Sequence, residues 1–281
     1  MIPSLDNLTV TSLMVFVDKK VCDKGRGFTN YSGLFYPATN IINGLYTYNL
    51  PFKQVIADSS VSGASILSGV YLNNNLIQIG QSGLVGINHQ NGQVFFNNNV
   101  SNYTISGNYA VKDFNIYLTN KPEEELLFET QVRVRPKISQ TITGLSQNVE
   151  TYPALFFKNN NTINNPFALG GAVDTRIEVR IVALADSLFN LDAVCGILRD
   201  TAHERLPLLN ISDLNLNYIG CLPSGYYNYD NIKNSKDLGT DSFYIEEVNI
   251  SKNFNFLNKG NNSIFPAFID FTLSRIRNPK I

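Results

Sequence analysis

Between residues 176 and 200 the chain reads RIEVRIVALADSLFNLDAVCGILRD, and its apolar period changes from two to helical within a few positions. Ile177, Val179 and Ile181 alternate with Arg176, Glu178 and Arg180, the pattern of a strand with one buried face. Leu188, Leu191, Cys195 and Leu198 then recur at helical spacing, and Asp186 stands where a side-chain oxygen would cap the first turn. An apolar strand face joined directly to an apolar helix stripe has to be buried together with it, so this segment dictates a helix laid on a sheet.

The remaining chain reads as one further helix, short strands and polar loops. Over residues 4–20, Leu5, Leu8, Leu13, Phe16 and Val17 suit one helical face, with Ser4 as cap and Gly25 just past the end. Residues 31–120 carry strand-like runs such as GLYTYNL, SGVYL, LIQIG, QVFF and NYTISGNYAV, punctuated by Gly, Pro and Asn. Asn91-Gly92 predicts a type I′ hairpin, and Asn73 to Asn75 a tight turn that needs positive φ. Lys121-Pro-Glu-Glu-Glu breaks the pattern, which places a boundary between an N-terminal helix plus β-rich domain at 1–122 and an α+β assembly domain at 123–281. The expected class is α+β: a β-rich sandwich or small barrel with an N-terminal helix, then one main helix on a mostly antiparallel sheet. In the second half, ALFF predicts a short strand, and RLPLL, FYIEEVNI and FPAFIDFTLSRIR supply others. The stretch 224–241 reads as a long polar loop, a length at which loops usually have a task.

Charged residues make up 16% of the 281 positions, and Asn about one position in eight, so the surface is largely neutral and polar. Such a surface repels copies of itself weakly and loses few charges when buried, which favours assembly. An A·T-rich coding sequence would raise Asn as well. A net charge of -1 argues against a broad nucleic-acid footprint. MIPSLDNLTV has no basic segment leading into an apolar run, and no stretch is long enough to span a bilayer, so neither a signal nor a membrane segment is expected. Cys22, Cys195 and Cys221 are odd in number and far apart, which suits buried free thiols.

Reactive chemistry is thinly represented. His89 and His203 are the two histidines, each expected to be structural or solvated. No GxSxG elbow and no GxxxxGK[ST] loop occurs, and the GxG at Gly25 breaks at Asn30. Glu123, Glu124 and Glu125 read as a solvated turn, and Asp174 and Asp186 as loop and capping groups. These readings predict a protein that is not an enzyme, with no cofactor and no metal. Interaction surfaces are better supplied. Arg133 with Arg135, and Arg275 with Arg277, alternate along strands where they could meet carboxylates or carbonyls of a neighbour. Tyr226, Tyr227 and Tyr229 crowd one loop beside Gly225 and Asn228, a recognition-loop composition suited to protein docking or, alternatively, sugar stacking.

The segments VRIVALADSLFNLDAVCGILRD and FPAFIDFTLSRIRNPK, with MIPSLDNLTVTSLMVFVDKK and SGVYLNNNLIQIGQSGLVGINHQNGQVFF, resemble virion structural proteins of tailed bacteriophages, especially marine phages with contractile tails. Within that group, a strand-helix unit with an antiparallel sheet is similar to neck and tail-terminator proteins. The resemblance implies a non-enzymatic subunit located in the virion, assembled in the host cytoplasm, which forms a ring of its own copies between capsid and tail. Implied partners are adjacent neck, tail or capsid proteins, with no membrane, and with nucleic acid at most by proximity. The alternative it leaves open is a baseplate or fibre adaptor, or a carbohydrate- or receptor-binding virion module.

Overall fold

A computed structural model describes residues 4–38, 41–129, 133–134, 150–167, 171–214, 216–217, 219–252 and 264–278. The architecture is α+β. Helix α1 (Leu5–Asp23) starts at Ser4, whose hydroxyl accepts the Asn7 N–H at 3.4 Å. Eight strands follow: β1 (Phe28–Leu34), β2 (Tyr36–Pro37), β3 (Tyr46–Asn49), β4 (Gly69–Leu72), β5 (Asn75–Gln78), β6 (Leu84–Asn88), β7 (Gln93–Phe96) and β8 (Ile105–Lys112). They form two antiparallel sheets, ordered β1-β8-β4-β5 and β2-β3-β7-β6. Phe35, Tyr48, Leu67, Val70, Ile87, Phe96 and Tyr109 fill the space between them, as a sandwich requires.

Next come β9 (Asn115–Leu118), a π-helical turn (Glu125–Glu129), β10 (Arg133–Val134), β11 (Thr151–Tyr152), β12 (Ala154–Pro166), β13 (Val173–Ala185), α2 (Leu188–Arg199), β14 (Arg205–Pro207), α3 (Ile211–Leu214), α4 (Tyr229–Asn234), β15 (Ser242–Lys252) and β16 (Phe265–Arg277). Six of them make one sheet, ordered β14-β15-β16-β13-β12-β9, antiparallel throughout except for the β12·β9 pair. The predicted strand-helix unit is β13 and α2. Leu191, Val194, Cys195 and Leu198 pack on Ile177, Val179 and Ile181, while Leu188 of the same predicted stripe is 44% exposed.

Several expectations are corrected locally. The cap of α2 is Ser187, whose hydroxyl accepts the Asn190 N–H at 3.2 Å; Asp186, one residue earlier, bonds the Asn190 side-chain amide instead. The β6–β7 hairpin lies where it was expected, but Asn88 pairs with Gln93 across four intervening residues, and of these Gly92 alone has positive φ. That is not a type I′ turn. Gly92 is required all the same, because a Cβ there would meet the Phe52 carbonyl oxygen at 2.0 Å. The strand read at ALFF continues through the Asn-rich run to Pro166. Its outer half shows no apolar alternation because neither of its faces is buried. The stretch 224–241 is not all loop, since it contains α4.

The boundary read after residue 122 is crossed twice. Val10, Leu13, Phe16, Val17 and Val21 of α1 belong to the core under the six-stranded sheet, beside α2, and β9 is an edge strand of that sheet. Area explains why. Six strands at about 4.8 Å spacing make a face roughly 25 Å wide, and one helix of about 10 Å cannot cover it. The second half contributes α2 alone at sufficient length, so α1 supplies the remaining cover.

Gln54 ties the sandwich to this sheet. Held at φ 52°, its side-chain amide donates to the Ile116 carbonyl at 2.8 Å and accepts the Ile116 N–H at 2.7 Å, occupying the peptide of β9 as a neighbouring strand would. Gln54→Ala leaves both Ile116 groups unpaired in a buried place, so a loss of about 2 kcal/mol is expected. Denaturant unfolding of the variant checks it; an unchanged midpoint would refute the role.

Candidate functional site

Where α1, the sandwich and β9 converge on the segment 214–222 there is a cavity of about 390 Å³. Its walls are largely apolar, with Met14 and Val15 from α1, Ile116 from β9, and Leu214, Leu216 and Leu222 from the later segment. Into this setting α1 brings Asp18 and the end of β8 brings Lys112, and the two pair at 2.7 Å with side chains 15% and 14% exposed. Burial alone would lower the Lys112 pKa, but the Asp18 charge and hydrogen bond outweigh it and hold the ammonium above its ordinary value. The Cys22 Sγ lies 3.8 Å from the Asp18 carboxylate, and burial, reinforced by that negative charge, pushes its thiol well up.

His89, in the hairpin loop after β6, lines the same cavity. Burial lowers its pKa to about 4, so the ring is neutral near pH 7, and its Nε2, 3.0 Å from the Leu67 carbonyl, must carry the proton and donate it. Asn88 is equally committed, donating its amide to the Ile219 carbonyl at 2.9 Å and accepting the Asn91 N–H at 3.0 Å. The acid is spent on an ammonium, the imidazole on a carbonyl, and the thiol is protonated. What the walls offer is a volume for apolar groups, with its polar residues turned to holding three parts of the chain together.

The interaction residues singled out in the sequence fall in different places. Tyr226 is 44% exposed, Tyr227 is half-buried and lines the cavity, and Tyr229 is 3% exposed inside the core of the six-stranded sheet. The three do not share a surface, because the backbone of Tyr227 is drawn into a bridge with Asp58 and the Asp58 carboxylate accepts the Tyr229 N–H at 2.9 Å. A three-tyrosine platform for sugar or protein is therefore not formed. Arg275 donates to the Thr240 carbonyl and lies 5.9 Å from the Phe243 ring. Arg277 donates to Thr175 Oγ1 at 2.6 Å and Asn164 Oδ1 at 2.7 Å. Arg277 is thus engaged within its own sheet, and Arg275 with the segment that leads into β15. Arg133 lies in β10, which pairs parallel with β11, and Arg135 lies outside the described residues. His203 follows α2 at φ 69° with Nδ1 3.0 Å from the Tyr244 hydroxyl. Glu123 accepts from Arg180 at 2.6 Å and Asp174 from Arg176 at 3.0 Å. All three cysteines are buried and free, and burial lifts Cys195 to about 11 and Cys221 to about 12.

Asp18, Lys112 and Gln54 were not read from the sequence. The one signal was local: Asp18 shares a helical face with Met14, Val21 and Cys22, and a carboxylate in such company needs a partner.

The six-stranded sheet offers the larger surface. Its face opposite α1 and α2 is apolar at one end, where Leu126 of the π-helical turn is buried with Tyr152, Phe156 and Leu184, and polar at the other. There Arg180 is bonded to Asp270 at 2.7 Å as well as to Glu123, and Arg176 lies 3.7 Å from Glu246. The two edges are only partly closed. β9 pairs with β12 over 154–157, and β14 pairs with β15 over 242–244, extended by bonds between 203–204 and Ile245. Among the described residues this leaves 158–166 of β12 and 246–252 of β15 with one neighbouring strand each. Comparison with protein-family models and with curated proteins finds no match for the chain. Among the described residues no helix is long and apolar enough to cross a membrane, and no group of three or more His, Cys, Asp or Glu could hold a metal ion.

Proposed function

We propose that this protein is a non-enzymatic structural subunit that assembles with copies of itself and with neighbouring proteins of a tailed-phage virion, as a neck or tail-terminator component does. The observation that carries the reading is the outer half of β12. It is almost wholly solvent-exposed, has a partner strand on one side only among the described residues, and holds no charged residue between Asn159 and Phe167. Monomeric proteins protect such an edge with lysines, prolines or a covering element; here Lys158 and Pro166 stand at the two ends of the open row, and the neutral run 159–165 between them suits pairing with another chain. The resemblance in sequence texture points to the same class of protein, and the cavity groups, each already bonded to another part of the chain, suit structural work.

Mass spectrometry of gradient-purified virions from a phage encoding this chain is the test. The chain is expected in every preparation at a fixed ratio to the portal protein, with antibody labelling at the head–tail junction. Its absence from virions would refute the reading.

A further inference from the structure

We propose that the unpaired edge of β12 on one copy joins the unpaired edge of β15 on the next, in antiparallel register, so that the six-stranded sheet continues from subunit to subunit. This rests on the structural-subunit reading and specifies the contact within it. The argument is one of complementarity between two edges of the same sheet. β12 and β15 run in opposite directions, because three antiparallel pairings separate them. Two copies set side by side in the same orientation therefore present antiparallel strands to each other, the better-bonded arrangement.

The open rows are similar in length and offset along the strand. Projected onto β16, the β15 row covers the levels of Ala267 to Thr272 and the β12 row those of Asp270 to Arg277. Pairing them shifts each copy by about four residues along the strand, the kind of shear that closes a twisted sheet into a ring instead of extending it flat. Residues 159–166 of the β12 row are neutral and place no like charge against Glu246, Glu247 or Lys252. A two-fold pairing of two β12 arms would satisfy that edge and leave β15 open; the β12-to-β15 contact satisfies both. It is heterologous, so copies joined this way form a ring where the rotation per copy closes on itself.

Single-cysteine substitutions at exposed positions test this in the full-length chain, whose own cysteines are buried. Asn161→Cys and Asn165→Cys mark the β12 row, and Asn249→Cys and Ser251→Cys the β15 row. Cross-linking under a mild oxidant requires Cα atoms within about 7 Å. A disulfide-linked dimer is expected when a β12 variant is mixed with a β15 variant, and none from any variant alone. Adding Ile163→Lys, a charge on the β12 row, is expected to abolish the mixed product. Self-linking of Asn161→Cys would overturn the proposal in favour of two-fold pairing. No mixed product at any of the four combinations would overturn it too. In that case virion membership still decides the structural-subunit reading, so the two can fail separately.

Discussion

Lowering the pH from 6.5 to 5 is expected to remove about 2 kcal/mol of stability through His89 alone. Its folded-state pKa of about 4 lies well below the ordinary 6.5, because burial disfavours the imidazolium. The unfolded chain takes up a proton near pH 6.5 while the folded protein resists until about pH 4. The contribution is therefore complete above pH 6.5, falls by about 1.4 kcal/mol per unit as the pH drops through that window, and is exhausted below about pH 4. Urea midpoints at closely spaced pH values measure it. His89→Gln keeps a donor for the Leu67 carbonyl without a titrating group, so its curve is expected to be flat over the same interval. A wild-type curve as flat as the variant's would show that the ring is not held neutral. His89 lies on the loop whose carbonyls accept the Gln54 and Val55 N–H groups, beside the junction between sandwich and sheet.

Lys112→Ala is expected to cost about 3–5 kcal/mol, the range for removing one partner of a buried pair. The loss has two sources: the Asp18 carboxylate remains in an apolar wall without its counter-charge, and the aliphatic stem that packs there disappears. For a chain of this size a drop of about 10 °C in Tm follows. Asp18→Asn combined with Lys112→Met is expected to recover most of it, because two neutral groups of similar volume need no charge partner. If the double variant were as unstable as the single one, packing and not charge would be the cause. The pair also sets an alkaline limit. The Lys112 pKa is raised above 10.5, so its contribution is full below that value and is lost as the pH rises through the folded-state pKa.

Local periodicity found what local periodicity can encode. The β13–α2 unit, the N-terminal helix, the tight turn at Asn73 and Asn74, and the strands of the sandwich all carry their signal within ten or so residues. The outer half of β12 was missed for a physical reason: a strand that buries neither face has no alternation to display. The turn type at Gly92 was misjudged because a close approach to Phe52, and not the local backbone, decides why glycine stands there. The cavity was invisible for a third reason. Asp18 and Lys112 are 94 residues apart, and Gln54 and Ile116 are 62 apart, distances at which nothing in a single sequence signals contact. The tyrosine cluster shows the opposite failure, in which neighbours in sequence are sent by the fold to the surface, the cavity and the core.

The placement of α1 has a consequence for synthesis. Its apolar stripe rests against β12 and α2, segments translated more than 130 residues later, with the whole sandwich emerging in between. The nascent chain can complete the sandwich on its own, since its two sheets close around their own side chains. This helix thus leaves the ribosome long before its seat exists, and until then Leu13, Phe16 and Val17 are an exposed apolar stripe of the kind chaperones hold.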